Sequence, residues 1–337
     1  MTPARTSGRS PFGFLALLAA FSVPFWAAGA VFDLSGVLPM GMPLSAFQFV
    51  LPVAVASLLL FREEGGRGVR RLVRRTVSVR GTTRPGCWAP AVLLIPALFL
   101  VTYGLLAAAG APPTGPHSPL ASVPLLLVLY FVAAAAEEAG WTGYLLRPLR
   151  ERWGPLGAGL VIGLVWAAWH VVAYAQAGRS AAWTAGQVLG SVALRVLMVR
   201  LYDSSGGIVL TAVVVHTAIN VVESVFPGYT EHAAPALVFG AVASLTAALV
   251  TLRGPGAGTV AKAVRPLRAR GEPSSAHPAA APIPVHPAAE PASVRPTTEP
   301  KPTRPTGEPI PVRPDAATAV RRASPPPAGR TWPPDDP

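Results

Sequence analysis

Apolar residues run along this chain in blocks about as long as a membrane is thick. A helix rises 1.5 Å per residue, so some 20 residues cross a hydrocarbon core of ~30 Å. Blocks of that kind fall at approximately 12–32, 42–61, 88–109, 120–146, 156–177, 184–202, 206–223 and 234–252. The pattern predicts an all-α, polytopic membrane bundle of about eight transmembrane helices. The first block follows Arg5 and Arg9 and ends in the small residues Ala28, Gly29 and Ala30, as a signal peptide would. Its apolar run is longer than that of a usual signal peptide, so it reads as a retained span.

The polar stretches between blocks set the orientation. Cytoplasmic loops accumulate Lys and Arg close to membrane ends, and residues 62–86 carry eight arginines, Arg62, Arg67, Arg70, Arg71, Arg74, Arg75, Arg80 and Arg84. With that loop inside, Ala111–Leu120, which has no Lys or Arg, falls outside, while Arg147, Arg150, Arg152 and Arg253 fall inside. Both termini are expected in the cytoplasm of a multi-pass protein of the cell membrane; Arg179 is a minor exception. Val69–Val79 has the pattern of a basic helix on the inner leaflet, with a solvated connector as the alternative. Residues 253–337 hold 21 of the 39 prolines and no apolar period, so they are expected to form a disordered tether. The organisation read from this is a two-helix N-terminal segment with its basic loop (1–86), a membrane core (87–252) and the tail (253–337).

Composition sharpens the picture. The chain of 337 residues is 51% apolar and 13% charged, against about a quarter charged in soluble proteins, and its mean hydropathy is +0.44 despite the polar tail. The single cysteine, Cys87, excludes an internal disulfide framework and a thiolate metal cluster. A net charge of +12 raises nucleic acid as a partner. The arginines, however, sit in loops and tail, where anionic lipid headgroups are nearer; the expected partner is the lipid bilayer and not nucleic acid.

Ionisable groups inside spans cost several kcal/mol unless paired or hydrated, which makes them candidates for function. Glu137 and Glu138 lie in the fourth block, His170 in the fifth, Arg195 in the sixth, and His216 with Asn220 in the seventh. Adjacent carboxylates suit general-base work, one of them exchanging protons. The alternative is a helix end at the membrane surface, with Trp141 and Tyr144 as interfacial aromatics. Trp141–Leu146 stays apolar for nearly two turns before Arg147, which places the carboxylates inside. His216 and Asn220, spaced i, i+4, share a helix face, and Trp166 with His170 repeats the spacing, an aromatic ring stacked beside an imidazole. The set suits a hydrolytic centre in which carboxylate and imidazole activate water while donors hold an oxyanion. His with Glu also supplies zinc ligand types, though without the HExxH spacing. Arg195 reads equally as a snorkelling cation or as the partner of a buried glutamate.

The residues Glu137-Glu138-Ala-Gly-Trp-Thr-Gly143, Trp166-Ala-Ala-Trp-His170 and His216-Thr-Ala-Ile-Asn220 resemble, in order, the EExxxR, FxxxH and HxxxN motifs of the CPBP family of intramembrane proteases. This is the CAAX-protease and bacteriocin-processing group, also called the ABI domain, and the resemblance spans roughly residues 85 to 225. It implies an eight-helix bundle with a cavity open to the cytoplasm that hydrolyses peptide bonds of a membrane-associated peptide or protein. Glu137 would be the general base, His170 would help hold the attacking water, Glu138 would support them, and His216 and Asn220 would stabilise the oxyanion. A Zn²⁺ ion on Glu137, His170 and His216 and a metal-free, glutamate-dependent mechanism are both carried by the resemblance. Two positions depart from it. Trp166 replaces the motif phenylalanine and keeps an aromatic wall, whereas Thr142 replaces the motif arginine and removes a cation four residues after Glu138. That departure opens a second reading, a non-proteolytic membrane regulator or peptide-immunity factor of the same fold. A third, a proton-relay transporter, lacks the paired Gly/Pro-broken helices that such proteins show.

Overall fold

The computed structural model describes residues 10–32, 42–80, 85–112, 120–226 and 232–253, and the expected tail lies outside them. Helix α1 spans Pro11–Val31, opened by Ser10, whose Oγ accepts from the Gly13 amide at 3.3 Å. A 3₁₀ segment, Leu44–Val50, feeds α2, Leu51–Glu64. Gly65, at φ 64°, ends α2 and starts the arginine-rich α3, Gly66–Thr76. Then come α4 (Trp88–Ala108), α5 (Val123–Glu138), a π-helical turn (Ala139–Leu145), α6 (Leu146–Gln176), α7 (Ala181–Ser204), α8 (Val209–Val225) and α9 (Ala233–Arg253). No strand occurs among the described residues.

Each expected apolar block falls on a helical stretch, most with ends within a few residues. The fourth and fifth blocks are joined in one helical stretch, Leu120–Gln176. It breaks at Gly154, where φ 67° and ψ 179° leave the helix, and Pro155 restarts it. α8, with 17 residues, is apolar but a little shorter than the other spans. The described residues form the polytopic helical bundle that the apolar pattern predicts.

Two hydrophobic clusters hold the bundle. One joins α4, α7, α8 and α9 through Ile95, Phe99, Leu197, Val215 and Phe239, with the Phe99 and Phe239 rings 4.8 Å apart. The other joins α1, α2, the π turn and α6 through Phe14, Leu18, Val55, Trp141, Tyr144 and Trp169. The Phe14 ring stacks on Tyr144 at 5.4 Å and meets Trp141 edge-on at 5.9 Å. Trp141 and Tyr144 are 0% and 1% exposed, so they are core residues rather than interfacial aromatics, and Glu137 and Glu138 do not mark a membrane surface. Hydrogen bonds tie the N-terminal helices to α6: Trp169 Nε1 donates to Ser22 Oγ at 2.7 Å, and Gln48 Nε2 to the Trp169 carbonyl at 3.2 Å. Between apolar helices such bonds and close packing supply the cohesion that lipid does not.

Close packing is especially tight where the π turn meets α2. A Cβ added to Gly140 would stand 2.5 Å from Pro52 Cβ and 2.6 Å from its carbonyl oxygen. Gly140→Ala is therefore expected to destabilise the bundle by about 1–3 kcal/mol through overpacking, read as a lower unfolding midpoint in detergent. Gly104→Ala, whose Cβ would meet nothing within 4 Å, is the control that should leave the midpoint unchanged or raised.

Candidate active site

The site is built where α5 passes into the π turn. Both glutamates are buried, Glu137 at 5% and Glu138 at 0% exposure, as are His216 at 3% and Arg195 at 1%. Four helices deliver the charged and imidazole groups: α5 the carboxylates, α6 His170, α7 Arg195 and α8 His216. The sequence-expected residues thus converge from widely separated segments, and Arg195 joins them.

The two adjacent carboxylates are held in different ways. Glu138 is saturated: Oε2 accepts from Arg195 Nη1 at 2.7 Å and Thr142 Oγ1 at 2.5 Å, and Oε1 faces His216 Nδ1 at 3.0 Å. Arg195 is the partner of a buried glutamate and not a snorkelling cation. Its guanidinium carbon lies 4.4 Å from the centre of the Trp166 ring, a cation–π contact. Nε and Nη2 of Arg195 have no hydrogen-bond partner among the described residues. Glu137 uses one oxygen: Oε2 accepts from Trp166 Nε1 at 3.0 Å and from Trp141 Nε1 at 3.4 Å. Its Oε1 lies 4.0 Å from His216 Nε2, beyond hydrogen-bond reach.

The imidazoles are oriented as firmly. His170 Nδ1 lies 2.7 Å from the Trp166 carbonyl, an acceptor only, which makes Nδ1 the protonated nitrogen and leaves Nε2 as a lone pair. Trp166 meets His170 at 5.3 Å and 84° and His216 at 5.2 Å and 78°. The Trp166–His170 contact is therefore edge-on rather than stacked. Trp169 adds a second edge at 5.0 Å, and Tyr174 stacks on His170 at 5.8 Å. Asn220 lies one turn beyond His216 on α8, half-buried, and its side-chain amide has no hydrogen bond to another described residue.

The expected metal set fits less well than its donor types. Among the described residues no three His, Cys, Asp or Glu side chains converge as a metal shell requires. The physical reason lies in the partners: indole N–H groups occupy Glu137 Oε2, and Glu138 engages His216 Nδ1.

Two residues singled out from the sequence take roles it did not assign, and one contributor, Glu223, was not singled out. The indole N–H of Trp166 gives Glu137 a hydrogen bond that the motif phenylalanine could not, and Thr142 gives Glu138 a hydroxyl donor. Glu223 follows Asn220 by three residues on the His216 face of α8 and accepts from Gln187 Nε2 at 3.3 Å. Helical spacing from His216 was the available signal for it.

A buried carboxylate–imidazole centre inside a bundle of apolar helices defines a class of membrane protein with hydrolytic potential. Residues 119–222 match the family described as type II CAAX prenyl endopeptidase Rce1-like. The chain thus carries an Rce1-like domain of the CPBP membrane proteases, and that domain holds all five expected site residues and Arg195. It is a multi-pass membrane protein. No curated protein matches the chain.

Proposed function

We propose that this protein is an intramembrane endopeptidase that cuts a membrane-associated peptide or protein in the cell membrane, with both of its termini in the cytoplasm. The observation that carries the reading is the asymmetry of the glutamates. Glu138 is fully engaged by Arg195, Thr142 and His216, while Glu137 keeps Oε1 free of hydrogen bonds and turned toward an imidazole. A water about 2.8 Å from both Glu137 Oε1 and His216 Nε2 would subtend roughly a right angle at its oxygen, a geometry that water accepts.

In this mechanism Glu137 Oε1 takes a proton from that water as its oxygen attacks the peptide carbonyl carbon, while the remaining O–H stays on that oxygen and donates a hydrogen bond to His170 Nε2. The tetrahedral oxyanion is held by the Asn220 amide and the His216 imidazole. Glu137 then returns its proton to the amine nitrogen as the C–N bond breaks. Glu138 reacts with nothing; it fixes the His216 ring through Nδ1. The regulator reading leaned on an uncompensated Glu138, and the Arg195 ion pair removes that ground.

The test uses the full chain in liposomes against quenched fluorescent peptides, prenylated and unmodified. Cleavage lost in both His170→Ala and His216→Ala, at unchanged melting midpoint, supports the reading; cleavage that survives both overturns it. A chelator is expected to leave the rate unchanged. Loss restored by Zn²⁺ would instead place a metal on Glu137, His170 and His216.

A further inference from the structure

Helix α3 has no part in the proposed chemistry, yet its residues are sorted by face. Gly68, Leu72 and Thr76, spaced i, i+4, i+8, are buried. They seat α3 against the π turn and α8: Leu72 Cδ1 lies 3.0 Å from where a Cβ on Gly143 would stand. Next round the helix come half-buried Val69 and exposed Val73, with Val77 just past the end; Val73 and Val77 are 51% and 50% exposed. The remaining arc is arginine. Arg71 is paired with Glu64, whereas Arg67, Arg70, Arg74 and Arg75 are exposed and make no ion pair with another described residue.

A solvated connector has no use for an exposed valine stripe beside a row of free guanidinium groups. A helix lying at a membrane interface needs both, the apolar flank to enter the acyl boundary and the cations to meet the headgroups. Arg62 at the end of α2 lies at the same connection, and Arg147, Arg150 and Arg152 after the π turn lie at a second one. We propose that α3 is a docking surface for anionic phospholipid headgroups, held by Leu72 on the turn that follows the paired glutamates. Guanidinium groups grip phosphate bidentately, and four of them on one arc make the surface selective for lipids of net negative charge over zwitterionic ones.

The test does not depend on peptidase activity. The full chain is placed in nanodiscs of phosphatidylcholine with about 20 mol% phosphatidylglycerol, a lipid whose charge attracts juxtamembrane arginines. Lipids that stay bound after mild detergent extraction are measured by mass spectrometry. The retained phosphatidylglycerol fraction is expected at about two to three times the input, falling toward input at about 0.5 M salt because exposed charges are screened. Arg67→Gln/Arg70→Gln/Arg74→Gln/Arg75→Gln is expected to lose most of the enrichment. Arg147→Gln/Arg152→Gln, at the other arginine-bearing connection, is expected to keep it. The smaller Arg74→Gln/Arg75→Gln variant, losing about half, covers the case in which the fourfold variant does not fold. Wild type at the input ratio, full enrichment in the α3 variants, or an equal loss in the Arg147/Arg152 variant overturns the proposal.

Discussion

Glu137→Gln is expected to lower kcat for peptide cleavage by about 10²- to 10⁴-fold, the usual contribution of a positioned general base, with KM nearly unchanged. The substitution is close to isosteric. The amide carbonyl can still accept from the Trp141 and Trp166 indoles, which bond only to Oε2. What changes is Oε1, the oxygen 4.0 Å from His216 Nε2 and without a hydrogen bond of its own, which becomes an amide nitrogen. A group that acts only in the transition state lowers kcat and kcat/KM together. The same change at the neighbouring position should behave differently. Glu138→Gln strips the charge that Arg195 faces at 2.7 Å, so its first sign should be a lower melting midpoint, with activity falling through misplacement of His216. Kinetics and melting curves of the two purified variants check the division. Cleavage by Glu137→Gln within about threefold of wild type, or a melting loss equal to that of Glu138→Gln, would assign Glu137 to architecture and remove the general base from the mechanism.

That division of labour was half legible in the sequence. The bilayer imposes a length on every span, so the apolar blocks mark the helices almost to their ends. The cost of burying ionisable groups makes Glu137, Glu138, His170 and His216 conspicuous for the same reason. What a one-dimensional pattern does not carry is the pairing of distant segments. Arg195 stands 57 positions from Glu138, and nothing local decides between a cation that snorkels and one that turns inward. The π turn is hidden for a different reason. Helical patterns assume about 100° per residue, and one widened turn resets the phase. Trp141 and Tyr144, which look like interfacial aromatics by position, therefore face Phe14 in the core. Hydrogen-bond chemistry was legible in type and not in target: an indole at 166 announces a donor, but only the packing of α6 on the π turn aims it at Glu137.

Arg195→Leu is expected to cost about 3–5 kcal/mol of stability, the range for breaking a buried ion pair and stranding its partner. Glu138 would keep the Thr142 hydroxyl and the His216 ring, but lose its cation, and Trp166 would lose the guanidinium above its face. The structure also says where the cation can be returned. Thr142 Oγ1 already reaches the Glu138 oxygen that Arg195 holds, from one turn along the same helical segment. An arginine at 142 can meet that oxygen only if the space used by Arg195 is vacated, because position 142 is itself buried. Thr142→Arg alone should therefore destabilise, by crowding two cations onto one carboxylate oxygen in a packed core. Combined with Arg195→Leu it should recover most of the lost stability and the cleavage activity. Melting midpoints and rates of the two single variants and the double variant close a mutant cycle, with a favourable coupling of about 2–3 kcal/mol expected for residues sharing one partner. Such coupling would mean that Glu138 requires one buried cation and is indifferent to the helix supplying it. The threonine at 142 and the arginine at 195 would then be two halves of a single substitution. Additive losses would mean instead that Arg195 acts through its packing on Trp166, and the missing arginine at 142 would be left without a replacement.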